Sequence, residues 1–371
     1  MDNITKQMKR YPVLVRFTII LVFIILLIYS VVIAKQILYP LALSILFSYL
    51  LFPIANFLEV KARFPRGLAV LFSVLLFIII TVGAIDILIT QIHKFAEDEA
   101  IKKQAIENFT SIQSLIEGEF NITSDEQSTW IVEKVKTFFE RGGNAKEVLF
   151  KAVGAVEAII FIPIFIFFLL YFRDRAERFI HKLAQKKHAE LAEKLINQIS
   201  KVTIKYVSGV TIIVIILAIV HSIALSIIGI KYAIIFGLLT ASFSFIPYFG
   251  TIVSGIVPLS FTLLAQDNPY LAFAVAIYYV TISLIDHNIL TPGIVGGKVH
   301  LNPFITILSI IIGATIWGIP GMIIVVPFIA VVKIVCDNVE SLKPFGYLLG
   351  VDKKDTLTLD KISNFLINRK K

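Results

Sequence analysis

The sequence predicts an all-α, polytopic integral membrane protein, and three observations carry that expectation. Of 371 residues, 57% are hydrophobic and only 16% charged, with a mean hydropathy of +0.86; soluble domains carry about a quarter charged residues. Apolar runs recur at about 17–34, 38–57, 67–90, 152–172, 207–230, 232–265, 270–291 and 303–336, and about 20 residues suffice to cross the hydrocarbon core. Two of those runs, 232–265 and 303–336, are too long for simple spans and are broken by proline and glycine. Six full spans plus two re-entrant hairpins, or eight spans, account for this pattern.

Lys6, Lys9, Arg10 and Arg16 precede the first run. That run is too long for a secretory signal and further spans follow it, so it reads as a retained helix. With the N-terminus inside, residues 1–90 form three transmembrane helices. The turn EVKARFPRG, with Lys61, Arg63 and Arg66, then falls in the cytoplasm, as the positive-inside bias requires. Residues 91–151 are richer in acids than bases and form an extracytoplasmic segment, where Phe109, Ile112, Ile116 and Phe120 mark an amphipathic helix. The fourth span, 152–172, returns to a basic cytoplasmic segment, 173–205, with Phe179, Leu183, Leu191, Leu195 and Ile199 on one helical face. Residues 206–340 form the C-terminal transmembrane core and 341–371 a cytoplasmic tail.

The net charge of +9 lies largely in connections, where it orients helices, so a nucleic-acid role is disfavoured. Cys336 is the only cysteine, which removes internal disulfides and cysteine-rich metal sites. The sequence holds no phosphate-binding loop, no His-Glu-x-x-His and no Gly-x-Ser-x-Gly elbow, so neither ATP-driven transport nor an intramembrane enzyme is expected, and no cofactor or metal. The short patterns at Asn3, Asn108 and Asn121 that match a glycosylation acceptor recur by chance and carry no weight.

A straight helix over 232–265 would be about 50 Å long, against a bilayer core of about 30 Å. Pro247, Gly250, Gly255 and Pro258 interrupt it, and Gly313, Gly318, Pro320, Gly321 and Pro327 interrupt the second run. Each interior proline removes a backbone donor and clashes with the preceding turn, at about 3 kcal/mol. Freed backbone groups at membrane depth must be buried in protein or line a polar cavity. Paired interruptions of this kind point to the binding site of a secondary transporter.

The pathway residues expected from this pattern are Pro247, Tyr248, Gly250 and Gly255 in the first break and Gly318, Pro320 and Gly321 in the second. Asp286 and Asn288 lie beside the second, in the polar group Asp286-His287-Asn288 that closes one apolar helix. Weaker ion candidates are Asp86 and Glu157, which also suit the headgroup region, and His221, which a single hydroxyl or carbonyl could satisfy. Lys35 and Lys333 are placed to snorkel.

The blocks IPYFGTIVSGIVP and DHNILTPGIVGGKVHLNPFITILSIIIGATIWGIPGMIIVVPFIAVVK, with ALSILFSYLLFPIANFL and FPRGLAVLF nearer the N-terminus, resemble the autoinducer-2 exporter family, also called PerM-like permeases. The resemblance covers nearly the whole chain. Thr251, Asp286 and Asn302 stand where the family often has proline, glutamate and histidine. It implies a multi-pass protein of the bacterial inner membrane that forms homo-oligomers, a pentamer among the expected forms; some relatives export autoinducer-2 and others exchange sodium for protons, and the span count places both termini in the cytoplasm. The expected partners are membrane lipid, a small solute or cation such as sodium or a proton, and copies of the same chain. A non-transporting membrane scaffold is the alternative from another class.

The two membrane readings differ at Lys298, cytoplasmic with hairpins and external with eight spans. A cysteine placed there is expected to resist an impermeant thiol reagent on intact cells and to react after permeabilisation. Labelling of intact cells removes the hairpin reading.

Overall fold

The computed structural model describes residues 12–120, 156–184, 189–266, 268–295 and 301–351. Among them the chain is helical throughout, with a single isolated bridge between Leu301 and Gly350 in place of any sheet. Five described helices are long and apolar enough to cross a membrane, and shorter apolar helices accompany them. The architecture is a polytopic all-α membrane fold.

Helices α1 (Val13–Ile33), α2 (Lys35–Asn56), α3 (Arg66–Ala96) and α5 (Val156–Tyr171) form the N-terminal bundle, with α4 (Glu99–Phe120) between the last two in the chain. Leu51 and Ala55 of α2, Val70 and Val74 of α3, and Ile166 and Leu170 of α5 share one core. Ser44 donates to the Pro40 carbonyl of its own helix and lies 3.2 Å from the Ile162 carbonyl, so a buried hydroxyl ties α2 to α5. One end of the bundle is fastened by charge. Arg66 grips Asp174 with two nitrogens, at 2.5 and 3.1 Å, and Arg173 meets Glu59 at 2.7 Å. The Arg66 guanidinium holds the Asp174 carboxyl below the usual carboxylate range. These pairs set the turn after α2 against the start of α6 (Arg173–Leu183).

The C-terminal core is organised on α7 (Ala189–Ile228), one unbroken helix of 40 residues, or about 60 Å. The boundary expected near 205 falls inside this rod, so the basic amphipathic stretch and the following span are continuous. Beyond it come α8 (Ala233–Phe243), α9 (Phe249–Ala265), α10 (Pro269–Ile285) with a π turn Asp286–Leu290 and a last turn Thr291–Ile294, α11 (Pro303–Trp317), α12 (Ile319–Asn338) and α13 (Lys343–Leu349). Two of these starts are built alike. Asn268 and Asn302 cap α10 and α11 by accepting from the amides of Tyr270 and Phe304, and each is followed by a proline at the first helical position.

Neither long run is one kinked rod, because both reverse direction at their breaks. Phe236 and Phe261 are 25 residues apart, which would be about 37 Å along a continuous helix, yet their rings are centred 4.5 Å apart. Helices α8 and α9 are therefore the legs of a helical hairpin with its tip at 244–248. The second run behaves likewise: Gly313 and Gly321 meet backbone to backbone, and Asn302 donates to the Leu349 carbonyl beyond the far end of α12.

The two hairpins start from opposite ends of α7. The base of the first follows directly on Ile228, whereas the base of the second is tied to Gln198 through the Asn338 amide at 2.9 Å. The tip of the first lies on the legs of the second, with Ile246 packed against Ile310 and Val326. The tip of the second reaches the α1–α2 junction, where the Trp317 indole donates to the Val31 carbonyl at 3.2 Å.

A methyl group at Gly313 or Gly321 would overlap the opposing backbone carbonyl, whereas Gly83 of α3 has open space around it. Gly313→Ala and Gly321→Ala are expected to lower the thermal midpoint of the detergent-solubilised protein, at a cost of about 1–3 kcal/mol. Gly83→Ala is expected to be neutral or stabilising by up to about 1 kcal/mol.

Candidate transport site

At the first break Pro247 brings no amide hydrogen, and Tyr248 adopts φ 63°, ψ −45°, a conformation that side-chain-bearing residues disfavour. Such a residue persists only where its surroundings over-determine it. Gly250 is buried against the Phe243 carbonyl, so the reversal is closed by a position that admits no side chain. Gly255, one and a half turns further on, lies under the ring of Tyr279: a β-carbon there would stand 3.4 Å from that residue's own.

At the second break Gly318 takes φ 66°, ψ −141°, a region open essentially to glycine alone. Pro320 falls in the first turn of α12, where its missing donor costs nothing, and Gly321 makes the crossing with Gly313. The two tips do not meet each other. The residues expected at the second break sit toward the α1–α2 junction, while those of the first lie along the middle of α11 and α12.

Asp286 is buried and accepts a 2.9 Å hydrogen bond from the Thr291 hydroxyl. Asn288 is exposed, and its amide donates to the Leu284 carbonyl of the preceding turn. This segment packs through Leu290, Ile294 and Val295 on Ile213 and Leu217 of α7 and on Ala241 of α8, so Asp286 belongs beside the first hairpin. Asp86 is exposed on α3. Glu157 falls in the first turn of α5, its side chain outside the described residues, as are Lys298 and the side chains of Ile112, Ile116 and Phe120.

His221 anchors a polar group in the described core. It is 3% exposed, its Nδ1 lies 2.7 Å from the Tyr278 hydroxyl, and its ring stacks on Tyr279 at 5.1 Å with 29° between planes. The Tyr279 hydroxyl in turn lies 3.1 Å from the Thr240 hydroxyl of α8. Sequence reading singled out the histidine and missed both tyrosines and the threonine. The available signal was two adjacent phenols within an otherwise apolar helix.

A second feature went unread. At the base of the first hairpin Lys231 pairs with Asp98 at 2.6 Å, and the Tyr232 hydroxyl meets the same carboxylate at 2.8 Å. The Lys231 ammonium holds Asp98 below the usual carboxylate range, while burial and Asp98 push the Tyr232 hydroxyl up to about 12. Helix α4 lies over this base, with Ile101 and Ala105 in one core with Ile230 and Ala265, and the Asn108 amide donating to Leu264 and Gln266. Two open surface depressions of about 530 and 320 Å³ adjoin the ion pair and share Gly229 and Lys231 in their walls.

A polytopic helical fold with paired broken helices defines a membrane transporter class, and similarity to known proteins narrows it. Residues 19–341 match the model of the AI-2E family transporter. A candidate transport protein of Borreliella burgdorferi is 25% identical over 333 residues, 86% of each chain. The AI-2 transport protein TqsA of Escherichia coli is 29% identical over 126 residues, 34% of this chain and 36% of its own. A Bacillus subtilis relative, the candidate transport protein YueF, is 28% identical over about half of each chain. The chain belongs to the AI-2E transporter family, whose members are transport proteins rather than enzymes.

Because the pKa of Asp98 in the folded protein lies below its ordinary value, the pair contributes stability that is full above that ordinary value and is lost as pH falls from there through the lowered folded value. Asp98→Asn is therefore expected to melt below the parent at neutral pH, with the gap closing below about pH 4. A gap that persists in acid shows that the ion pair is not its source.

Proposed function

We propose that this chain is a secondary transporter that exports a small polar solute across the bacterial inner membrane, with the first hairpin as its moving part. The observation that carries the reading is the opposed pair: two hairpins start from opposite ends of α7, and the tip of one rests on the legs of the other. This opposition supports two re-entrant hairpins, one dipping from outside and one from the cytoplasm. The reversals then place irregular backbone at membrane depth, where it is tolerated only if buried in protein or lining a polar path. Half-helix ends and unpaired carbonyls at such breaks are the groups that hold solutes in transporters of this design.

The first hairpin is suited to move. Residues 233–265 contain no Asp, Glu, Lys, Arg or His, so it can slide without carrying a charge through lipid. Ile246 at its tip rests on apolar side chains of the second hairpin, Ile310 and Val326. The ion pairs Arg66–Asp174 and Arg173–Glu59 gather the basic turn 59–66 and the basic segment from 173 on one face, which supports cytoplasmic termini. The name of the Escherichia coli relative supports autoinducer-2, or a solute of similar size and polarity, as cargo. Sodium–proton exchange is the second reading, favoured by the buried carboxylate of Asp286.

Proteoliposomes holding the protein are expected to release autoinducer-2 faster than empty ones. Cysteines at Ile246 and Ile310, in a Cys336→Ala background, should stop that release on oxidation and restore it on reduction; release that continues through the cross-link defeats the moving hairpin. In everted vesicles, sodium-dependent proton movement unchanged by Asp286→Asn removes that residue from the alternative.

A further inference from the structure

The polar group around His221 is larger than a lone histidine in a core requires. Tyr279 is held from three sides: the imidazole stacks on its ring, Thr240 of one hairpin leg meets its hydroxyl, and Gly255 of the other leg lies against its Cβ. Tyr278, its neighbour, meets the Nδ1 of the same imidazole. One residue of α10 thus touches α7 and both legs of the first hairpin. Beside it, Gly237 of α8 packs so closely on Ser222 of α7 that no β-carbon fits, which fixes the hairpin leg next to His221.

We propose that His221 is a proton-binding site that controls the grip of the frame on the first hairpin, through Tyr278, Tyr279 and Thr240. The proposal rests on the transporter reading above and names the coupling ion as a proton. A neutral imidazole has one donor and one acceptor nitrogen, and the Tyr278 hydroxyl can complement either. Binding a proton makes both nitrogens donors. The Tyr278 hydroxyl must then turn to accept at Nδ1 and send its own hydrogen elsewhere. A positive charge also arises against the face of Tyr279, attracting the ring. Both changes act on the two tyrosines, and Tyr279 passes its displacement to Thr240 and Gly255. No bond is made or broken other than those to the proton.

The surroundings leave the proton as the charge that changes. Among the described residues, the titratable side chains in contact with the imidazole are Tyr278 and Tyr279, while His287, exposed in the turn after α10, lies against the Ser283 carbonyl. The hairpin presents hydroxyls, since 233–265 carries no ionisable side chain besides Tyr248 at its tip. Helix α2 is uncharged from Tyr39 to Asn56, and on α12 Lys333 and Asp337 are paired with each other near the base of the second hairpin. Asp286, the acid that follows α10, lies seven residues beyond Tyr279 and is closed on Thr291.

The test is amide hydrogen exchange of the full-length protein in lipid nanodiscs at steps from about pH 3.5 to pH 8, a span wide enough for a deeply buried imidazole as well as an ordinary one. Rates are corrected for intrinsic pH dependence, and 303–338 serves as the internal reference. In the parent, residues 233–265 are expected to exchange severalfold faster at the low end of that span, with the reference unchanged. His221→Gln, which keeps a hydrogen-bonding side chain but does not titrate, is expected to remove that difference. Tyr278→Phe should fold and move the midpoint of the transition, which keeps the idea testable if His221→Gln does not fold. A hairpin whose exchange ignores pH in the parent, a difference that survives His221→Gln, or a midpoint unmoved in Tyr278→Phe overturns the proposal. The readout needs no solute, so failure of the flux experiment and failure of this one are separable.

Discussion

Satisfaction of backbone polar groups in a medium without water is the constraint on which the rest of this structure depends. A helix meets it by pairing its own amides and carbonyls, and an interruption forfeits that pairing locally. Here the interruptions are places where the chain turns back on itself, so the freed groups lie against protein. The Ser244–Tyr248 turn is covered by Ile310 and Val326 through Ile246, and Gly318 lies beside Trp317, whose indole reaches back to Val31. The second hairpin shields the irregular backbone of the first, and the end of α1 receives that of the second.

Close packing of small residues makes those reversals possible. Gly250 on the Phe243 carbonyl, Gly313 on Gly321 and Gly237 on Ser222 are approaches at which backbone meets backbone or a serine. Within a membrane the hydrophobic effect does not drive helices together, and contact of this kind with buried hydroxyls takes its place. Ser44, Thr240, Thr262 and Ser309 fit that pattern, each buried in the helical core. Strong charge pairs are kept to the ends: Arg66, Asp174, Arg173 and Glu59 at one, Lys231 and Asp98 at the other. This division lets an uncharged hairpin sit between two fixed polar surfaces.

The base and the tip of the first hairpin are held in different ways, and the difference bears on transport. At the base, α4 is fastened by Asp98 and Asn108, and two open surface depressions lie along that seam. At the tip Ile246 packs on Ile310 and Val326, and the backbone at Tyr248 is strained. Between them, Tyr279 and His221 form the polar hold in the interior. An element gripped in this way changes state when its polar holds change, which is what solute and proton are proposed to do.

Composition, apolar run lengths and the placement of Lys61, Arg63 and Arg66 determined an all-α membrane protein with a polytopic plan, because bilayer thickness and the cost of buried charge act on sequence directly. Pro247, Gly250, Gly318 and Gly321 marked both breaks for local reasons: proline lacks a donor, Gly318 takes a backbone angle that side chains disfavour, and Gly250 and Gly321 meet backbone too closely for a side chain. Whether a break kinks a helix or reverses it was not legible, since that depends on partners such as Phe236 and Phe261, 25 residues apart. The company of His221 was equally hidden. Tyr278, Tyr279 and Thr240 are ordinary residues of apolar helices, and only the packing of α8 and α10 on α7 turns them into one polar group.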